Sequence, residues 1–175
     1  CVGSATVDHF LTTDRKISSI NLGDKVLVES MQVHTGGGAT NSAAALSRLG
    51  LKVKMLTKLG CDHDAEFISK QMKEYHIKNI AKHGSKKGTD FATIVSSSKE
   101  RDRIIFVHKG ASKDLCTSDL RKSKMRAKWF YLASLVGKSF KTEKEIAKMA
   151  KKKNIKVLFN PSLYLARKGK KHLKP

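Results

Sequence analysis

The chain has 175 residues, which is enough for one domain with its own core. Apolar residues make up 39% and charged residues 29%, and no run of eighteen apolar residues occurs, which excludes a membrane-spanning helix at the sequence level. The formal net charge of +21 is unevenly spread: residues 121–175 hold 18 Lys and Arg against 2 Asp and Glu.

In chain order, "CVGSATVDHFLTT" and "VLVESMQVH" read as strands, the second partly alternating. "NSAAALSRLG" reads as a helix with Asn41 as its N-cap and Gly50 as the residue just past its end. "VKMLTKLG" is a strand, and "DAEFISKQMKEYHI" is a helix whose Phe67, Ile68, Met72 and Tyr75 share a face. "FATIVSSSKERDRIIFVHKG" reads as a β-hairpin around a polar turn, and "AKWFYLASL" as a buried strand. "TEKEIAKMAKKKN" opens on a capping box, Thr142 to Glu145, and predicts a helix. "IKVLFNPS" is a further buried strand, halted by Pro161. Strands separated by helices imply an α/β fold with a mostly parallel sheet, and the hairpin and early strands imply a small accessory sheet beside it. The final "LYLARKGKKHLKP" stops without completing an element, so the fold reads as truncated.

The basic final third suits either a nucleic-acid footprint or solvated lysine-rich helix faces. Its lysines alternate with apolar residues at core spacing, which favours the solvated faces. Cys1, Cys61 and Cys116 are odd in number and form no C-x-x-C pair, the pattern of a reducing, cytoplasmic compartment. The first residues carry no basic segment ahead of an apolar core, so no secretory signal is expected, and Cys1 in place of Met suggests a missing start.

Three consecutive glycines, Gly36 to Gly38, stand directly before a helix. Glycine there costs conformational entropy, so the backbone must turn sharply or come close to something. A phosphate-binding Walker A loop needs G-K-[ST] after the glycines, and here "ATNS" follows. The dinucleotide fingerprint G-x-G-x-x-G fails at its third glycine, where Asn41 stands. "CDHD" (Cys61 to Asp64) presents metal-ligand types, but adjacent residues rarely converge on one ion, and Asp62 or Asp64 can cap the next helix.

"VGSATVDHF", "GGGATNSAAALSRLG", "KLGCDHDAEF", "GTDFATIVSSSKERDRIIFVHKGAS" and "FNPS" occur in the order seen in the ribokinase family, also called the PfkB carbohydrate kinase family. The resemblance covers essentially all of the chain. It implies a ribokinase-like, Rossmann-type sheet with helices on both faces and a β-sheet lid, with lid strands near 10–35 and 90–108. Residues 1–175 would then be the N-terminal part of one such domain.

The implied activity is transfer of the ATP γ-phosphoryl group, with Mg²⁺, to a hydroxyl of a sugar or nucleoside. Asp8 matches an aspartate that accepts hydrogen bonds from sugar hydroxyls. Gly37, with Gly38 beside it, matches a glycine whose backbone lies against the sugar, where a Cβ would collide with the ligand. Asn41 matches an asparagine that exchanges hydrogen bonds with hydroxyls, in addition to or instead of capping the helix. Phe91 and Ile94 are lid candidates for apolar contact with the substrate or for lid core. Lys109 and Asn160 fall near the phosphate and Mg²⁺ region.

Two departures matter. Ribose-specific members carry Lys and Gly where this chain has Gly38 and Ala39, and "FYLASLVG" holds no acidic residue, so ribose is not implied over another sugar or a nucleoside. The family's D-T-x-G-A-G-D string, which supplies the general base and anion hole, does not occur between Cys1 and Pro175. The chain alone is therefore expected to lack kinase turnover, with the base beyond Pro175. Expected partners are a small sugar or nucleoside and a second copy through the lid, with no membrane and no specific nucleic acid. The rival reading is a non-catalytic ligand- or nucleic-acid-binding module that uses the basic residues 121–175.

Overall fold

The amino-terminal segment crosses from one sheet into another, and this crossing organises the molecule. The structure is a computed structural model describing residues 1–174. In order, the elements are β1 (Thr6–Thr13), β2 (Ser30–Gly36), α1 (Gly38–Arg48), β3 (Lys54–Met55), α2 (His63–Glu74) and β4 (Lys78–Asn79). There follow β5 (Asp90–Ser97), β6 (Arg103–His108), β7 (Trp129–Ala133), α3 (Lys138–Lys152), β8 (Lys156–Asn160), α4 (Leu163–Ala166) and α5 (Gly169–Leu173).

The first sheet has the order β2-β1-β5-β6. β1 is antiparallel to β2 and parallel to β5, and β5 and β6 form the expected hairpin. In the second layer β3 pairs with β4 and β7 with β8, all parallel. Val2 bridges in parallel to both Leu56 and Leu132, joining these pairs into one layer. "CVGSATVDHFLTT" is thus two elements. Val2 belongs to the parallel layer, and the lid-like sheet begins at Thr6.

Side chains alternate across a strand, so Met55 and Leu56 face opposite sides of the parallel layer. On one side Leu56, Val2, Phe130 and Leu132 pack against Ile146 and Ala150 of α3. On the other, Met55 joins Ala39 and Ala43 of α1 and Ile68 and Met72 of α2. Helices therefore cover both faces. Burying a side chain such as Ile68 or Ile146, both fully enclosed, contributes about 1.5–3 kcal/mol.

Local chemistry explains most element ends. α1 closes at Gly50, in the left-handed region at φ 84°, with the Gly50 amide donating to Ser47 O and the Leu51 amide to Leu46 O. That pair of bonds is the Schellman closure. α2 opens on Asp62, whose carboxylate accepts from the Ala65 amide at 2.9 Å and from the Thr89 amide and hydroxyl. Burial pushes this carboxyl up, but those donors outweigh it and hold it below the usual range. Of the four residues expected on the buried face of α2, Ile68 and Met72 are buried and Phe67 and Tyr75 partly so.

Four expectations are corrected. α1 begins at Gly38 with Gly37 as its N-cap, so Asn41 lies inside the first turn and does not cap it. α3 begins at Lys138 after Gly137, not at Thr142. Thr142 is buried, and its hydroxyl donates to Leu115 O at 3.1 Å, a tertiary bond that mimics a cap signal in sequence. β2 is shifted toward the glycines, ending at Gly36. β8 is largely exposed rather than buried, because it is the edge of the parallel layer. Among the described residues, no helix is long and apolar enough to cross a membrane.

Candidate functional site

A cleft of about 400 Å³ lies where the two sheets meet. Its walls are Thr6, Asp8, Ala92 and Val107 from the four-stranded sheet and Ala133 to Val136 and Asn160 to Ser162 from the carboxyl ends of β7 and β8. Ser4, Gly37, Gly38, Lys109 and Ser112 complete it. Open α/β sheets place ligands at the carboxyl ends of their parallel strands, and this cleft obeys that rule.

The crossing segment supplies its polar floor. Ser4, Thr6 and Asp8 are two apart, so an extended chain turns all three to one side. The Thr6 hydroxyl donates to Asp8 Oδ1 at 2.8 Å, orienting the carboxylate. The register sets Asp8 opposite His34 and Ala92, and Ala92 opposite Val107. The cleft therefore runs from a carboxylate to an apolar strip within one row of the sheet.

The glycines meet a demand of the protein's own packing. Gly37 sits at φ 94°, and a Cβ there would stand 2.5 Å from Ser4 O and 2.8 Å from Ala5 Cα. The obstruction is the protein's own crossing segment. A Cβ on Gly36 would fall on the Asp8 carboxylate, and one on Gly38 would lie 2.6 Å from Ala133 Cβ. The triplet lets β2 and α1 close against Asp8, the crossing and β7 at once.

At the other end, Asp90 is a buried hub. Its carboxylate accepts from the Gly110 amide at 2.9 Å, the Ser112 amide at 3.0 Å and the Ser112 hydroxyl at 2.5 Å. Lys109 Nζ pairs with it at 3.3 Å. This ties the β6 exit loop to β5 and places Lys109 on the cleft wall. Asn160 donates to the Tyr131 hydroxyl at 2.8 Å, and the Ser162 amide donates to Ser134 Oγ, closing the β7–β8 end.

Of the residues singled out in sequence, the structure brings Asp8, Gly37, Gly38, Lys109 and Asn160 into one cleft. Asn41 is exposed one turn into α1, outside the cleft lining and with no side-chain hydrogen bond. Phe91 and Ile94 cannot act together, because residues three apart in a strand face opposite ways. Phe91 stacks on His108 at 5.1 Å, on the face away from the cleft. Ile94 shares the Ala92 face but is buried beyond the cleft lining. Sequence reasoning missed Ser4, Thr6, Asp90 and Ser112. The alternation "S-A-T-V-D" carried the first two, whereas Asp90 and Ser112 meet only through the fold.

Lys109 is committed to Asp90 and the Asn160 amide to Tyr131, and no group of three His, Cys, Asp or Glu converges among the described residues.

The pfkB family carbohydrate kinase model matches residues 1–173. The chain belongs to that family. This pfkB chain is 32% identical to a ribokinase of Staphylococcus aureus (strain COL) over 127 residues, covering 70% of the chain and 40% of the relative. A ribokinase structure from Giardia lamblia superposes with a TM-score of 0.81 at 22% identity, covering 93% of this chain and 54% of that one. An Arabidopsis thaliana ribokinase complexed with ribose and ATP gives 0.71 at 20%, covering 90% and 51%. The pfkB chain thus spans about half the length, or less, of these relatives.

Proposed function

We propose that this chain is the acceptor-binding half of a sugar or nucleoside kinase, with the cleft as the acceptor site. The observation that carries the reading is the placement of Asp8. An oriented carboxylate faces a polar cleft beside Gly37 and Gly38, at the carboxyl ends of the parallel strands. An ionised carboxylate offers acceptor oxygens to a vicinal diol, and charge-assisted bonds of this kind are roughly twice as strong as neutral ones.

Ser4 offers a further hydroxyl, the Ser112 oxygen a further acceptor, and Ala92 and Val107 an apolar wall for the carbon face of the acceptor, with Lys109, held by Asp90, beside it. Asn41, uncommitted and one turn past Gly37, is a further donor for the exposed side of the ligand. The four-stranded sheet acts as the lid, keeping water from competing for the phosphoryl group. Its edge strand β6 exposes Ile104, Ile105, Phe106 and Val107 in succession, an unpaired apolar edge suited to a second copy.

ATP with Mg²⁺, when bound by the complete protein, supplies the phosphoryl group, and its site and the general base lie outside these residues. Residues 1–175 would accordingly be the first part of one ribokinase-like domain, working in the cytoplasm.

The test is calorimetric titration of the purified chain with ribose, with fructose and with a purine nucleoside, alongside an ATP-turnover assay. The reading expects saturable binding of at least one compound and no turnover by the chain alone. Binding by none, or steady ATP-dependent phosphorylation by residues 1–175, contradicts it.

A further inference from the structure

The row of the four-stranded sheet that lines the cleft does not stop at Asp8. Side chains of cross-strand partners share a face, and the pairing runs His34, Asp8, Ala92, Val107 from edge to edge. Asp8, Ala92 and Val107 are cleft walls, and His34 is the exposed outer end of their row, on edge strand β2. One step toward the tip of the sheet, Phe10 and Gln32 are partners on the same face.

These outer residues meet one another. The Phe10 and His34 rings stand edge to face, with centroids 5.8 Å apart and planes at 66°. His34 Nε2 lies 3.3 Å from Gln32 Oε1, which engages one imidazole nitrogen and leaves the other for a ligand. Phe10 keeps 37% of its surface exposed, although Ile94, its partner on β5, is buried. The result is an aromatic ledge with a polar edge, beside an oriented carboxylate. The sheet's other aromatic–histidine pair, Phe91 on His108, lies on the far face and cannot reach the cleft.

Direction decides what reaches the ledge. β1 runs outward from Thr6 at the cleft floor, so Phe10 stands about 7 Å beyond Asp8, two residues of strand rise. The inference rests on the acceptor-site reading of the cleft. With a diol on Asp8, the hydroxyl to be phosphorylated points inward, toward the carboxyl ends of β7 and β8. Whatever else the acceptor carries then points outward. In a ribonucleoside the diol lies between the 5′-hydroxyl and the base, so holding the diol sends those two groups in opposite directions. A free pentose has no ring to send.

The chemistry of the ledge suits that ring. Bases bind aromatic side chains through their faces and edges, and the remaining imidazole nitrogen can exchange a hydrogen bond with a ring nitrogen or exocyclic group. The other side chains of this face beyond Asp8 on β1 and β2 are Thr12, Ser30 and Gln32, all uncharged, so a phosphate or carboxylate on the acceptor finds no cation among them. We propose that the acceptor is a ribonucleoside, with its diol on Asp8 and its base on the Phe10–His34 ledge, and that these two residues set its preference over free sugars.

The experiment is calorimetric titration of the purified chain with adenosine, uridine and ribose. The parent should bind at least one nucleoside about tenfold or more tightly than ribose. Phe10→Ala and His34→Ala should each erase most of that advantage while leaving ribose affinity within about twofold. His34→Phe, which keeps a flat ring, should recover most of it. Met31→Ala removes an exposed side chain from the opposite face of β2 and should change neither affinity. Asp8→Asn should weaken nucleoside and ribose alike. Ribose binding as tight as that of the nucleosides, and lost on Asp8→Asn, overturns the ledge and leaves the acceptor site standing. Nucleoside binding that survives Asp8→Asn overturns the site reading and this placement with it, and binding of none of the three overturns both. Loss of self-association in Phe10→Ala with the nucleoside preference intact also overturns the proposal, since the ledge is then a subunit contact.

Discussion

Glu143 shows how far a single residue's chemistry is set by its surroundings. It lies on α3 with 2% of its surface exposed, its carboxyl oxygens without a well-formed hydrogen bond and only the Leu135 amide opposing the effect of burial. Burial pushes its pKa up to about 8, so the folded protein holds this carboxyl protonated at neutral pH. An unfolded chain releases that proton near pH 4.5, the ordinary value for the group. Between those two values the unfolded state binds fewer protons, so stability is full below the lower value and declines as pH rises toward the upper one. The slope is on the order of 1.4 kcal/mol per pH unit. Urea midpoints at pH 5, 7 and 9 should show the parent losing ground to Glu143→Gln as pH rises, and parallel curves would refute the assignment. Gly37 makes the complementary point about backbone. Gly37→Val forces a β-branched side chain into the left-handed region and against Ser4 O. Thermal unfolding should show a destabilised fold rather than a binding defect alone.

At the scale of elements, the segment after β3 and the turn at Thr117–Asp119 are held together by side chains distant in sequence. Lys58, just past β3, is buried and donates to both oxygens of buried Asp119 at 2.7 and 2.8 Å. Burial pushes the Asp119 carboxyl up, but Lys58 and the Cys116 amide and thiol outweigh it and hold it below the usual range. Asp119→Ala leaves the Lys58 ammonium buried and unpaired, which should cost about 3–5 kcal/mol in a urea titration. A loss under about 1 kcal/mol would show that water reaches the site. Such pairs explain what sequence could and could not show about the elements. The Gly50 closure, the Asp62 cap and the β5–β6 hairpin depend on neighbours within a few residues, and those were legible. The start of α3 was not, because Thr142 serves Leu115 across 27 residues rather than its own helix end. The exposure of β8 was not either, since an apolar run reads as buried whether or not another strand lies beside it.

Over the whole molecule, charge gathers where the two sheets meet: Asp8 and Asp90 of the four-stranded sheet lie around the cleft, with Lys109 as the cation of its lining. Sequence located much of the candidate site because Asp8 and the glycines sit in a short, ordered motif. What the glycines pack against and which way Phe91 points were not legible, because both depend on how the two sheets meet. The central claim is that Asp8 receives the acceptor's hydroxyls. Asp8→Asn removes the charge and replaces one acceptor oxygen with a donor, so affinity for the acceptor found by the screen should fall by about one to two decades. Asp14→Asn is the control, a carboxylate just past β1 whose only ion pair is to Lys99 at 3.5 Å, at the surface. It should leave affinity within about a factor of two. Calorimetric titration of the three proteins with that acceptor decides the matter. A loss confined to Asp8→Asn is the predicted result, and unchanged binding by Asp8→Asn, or equal damage from Asp14→Asn, would contradict it.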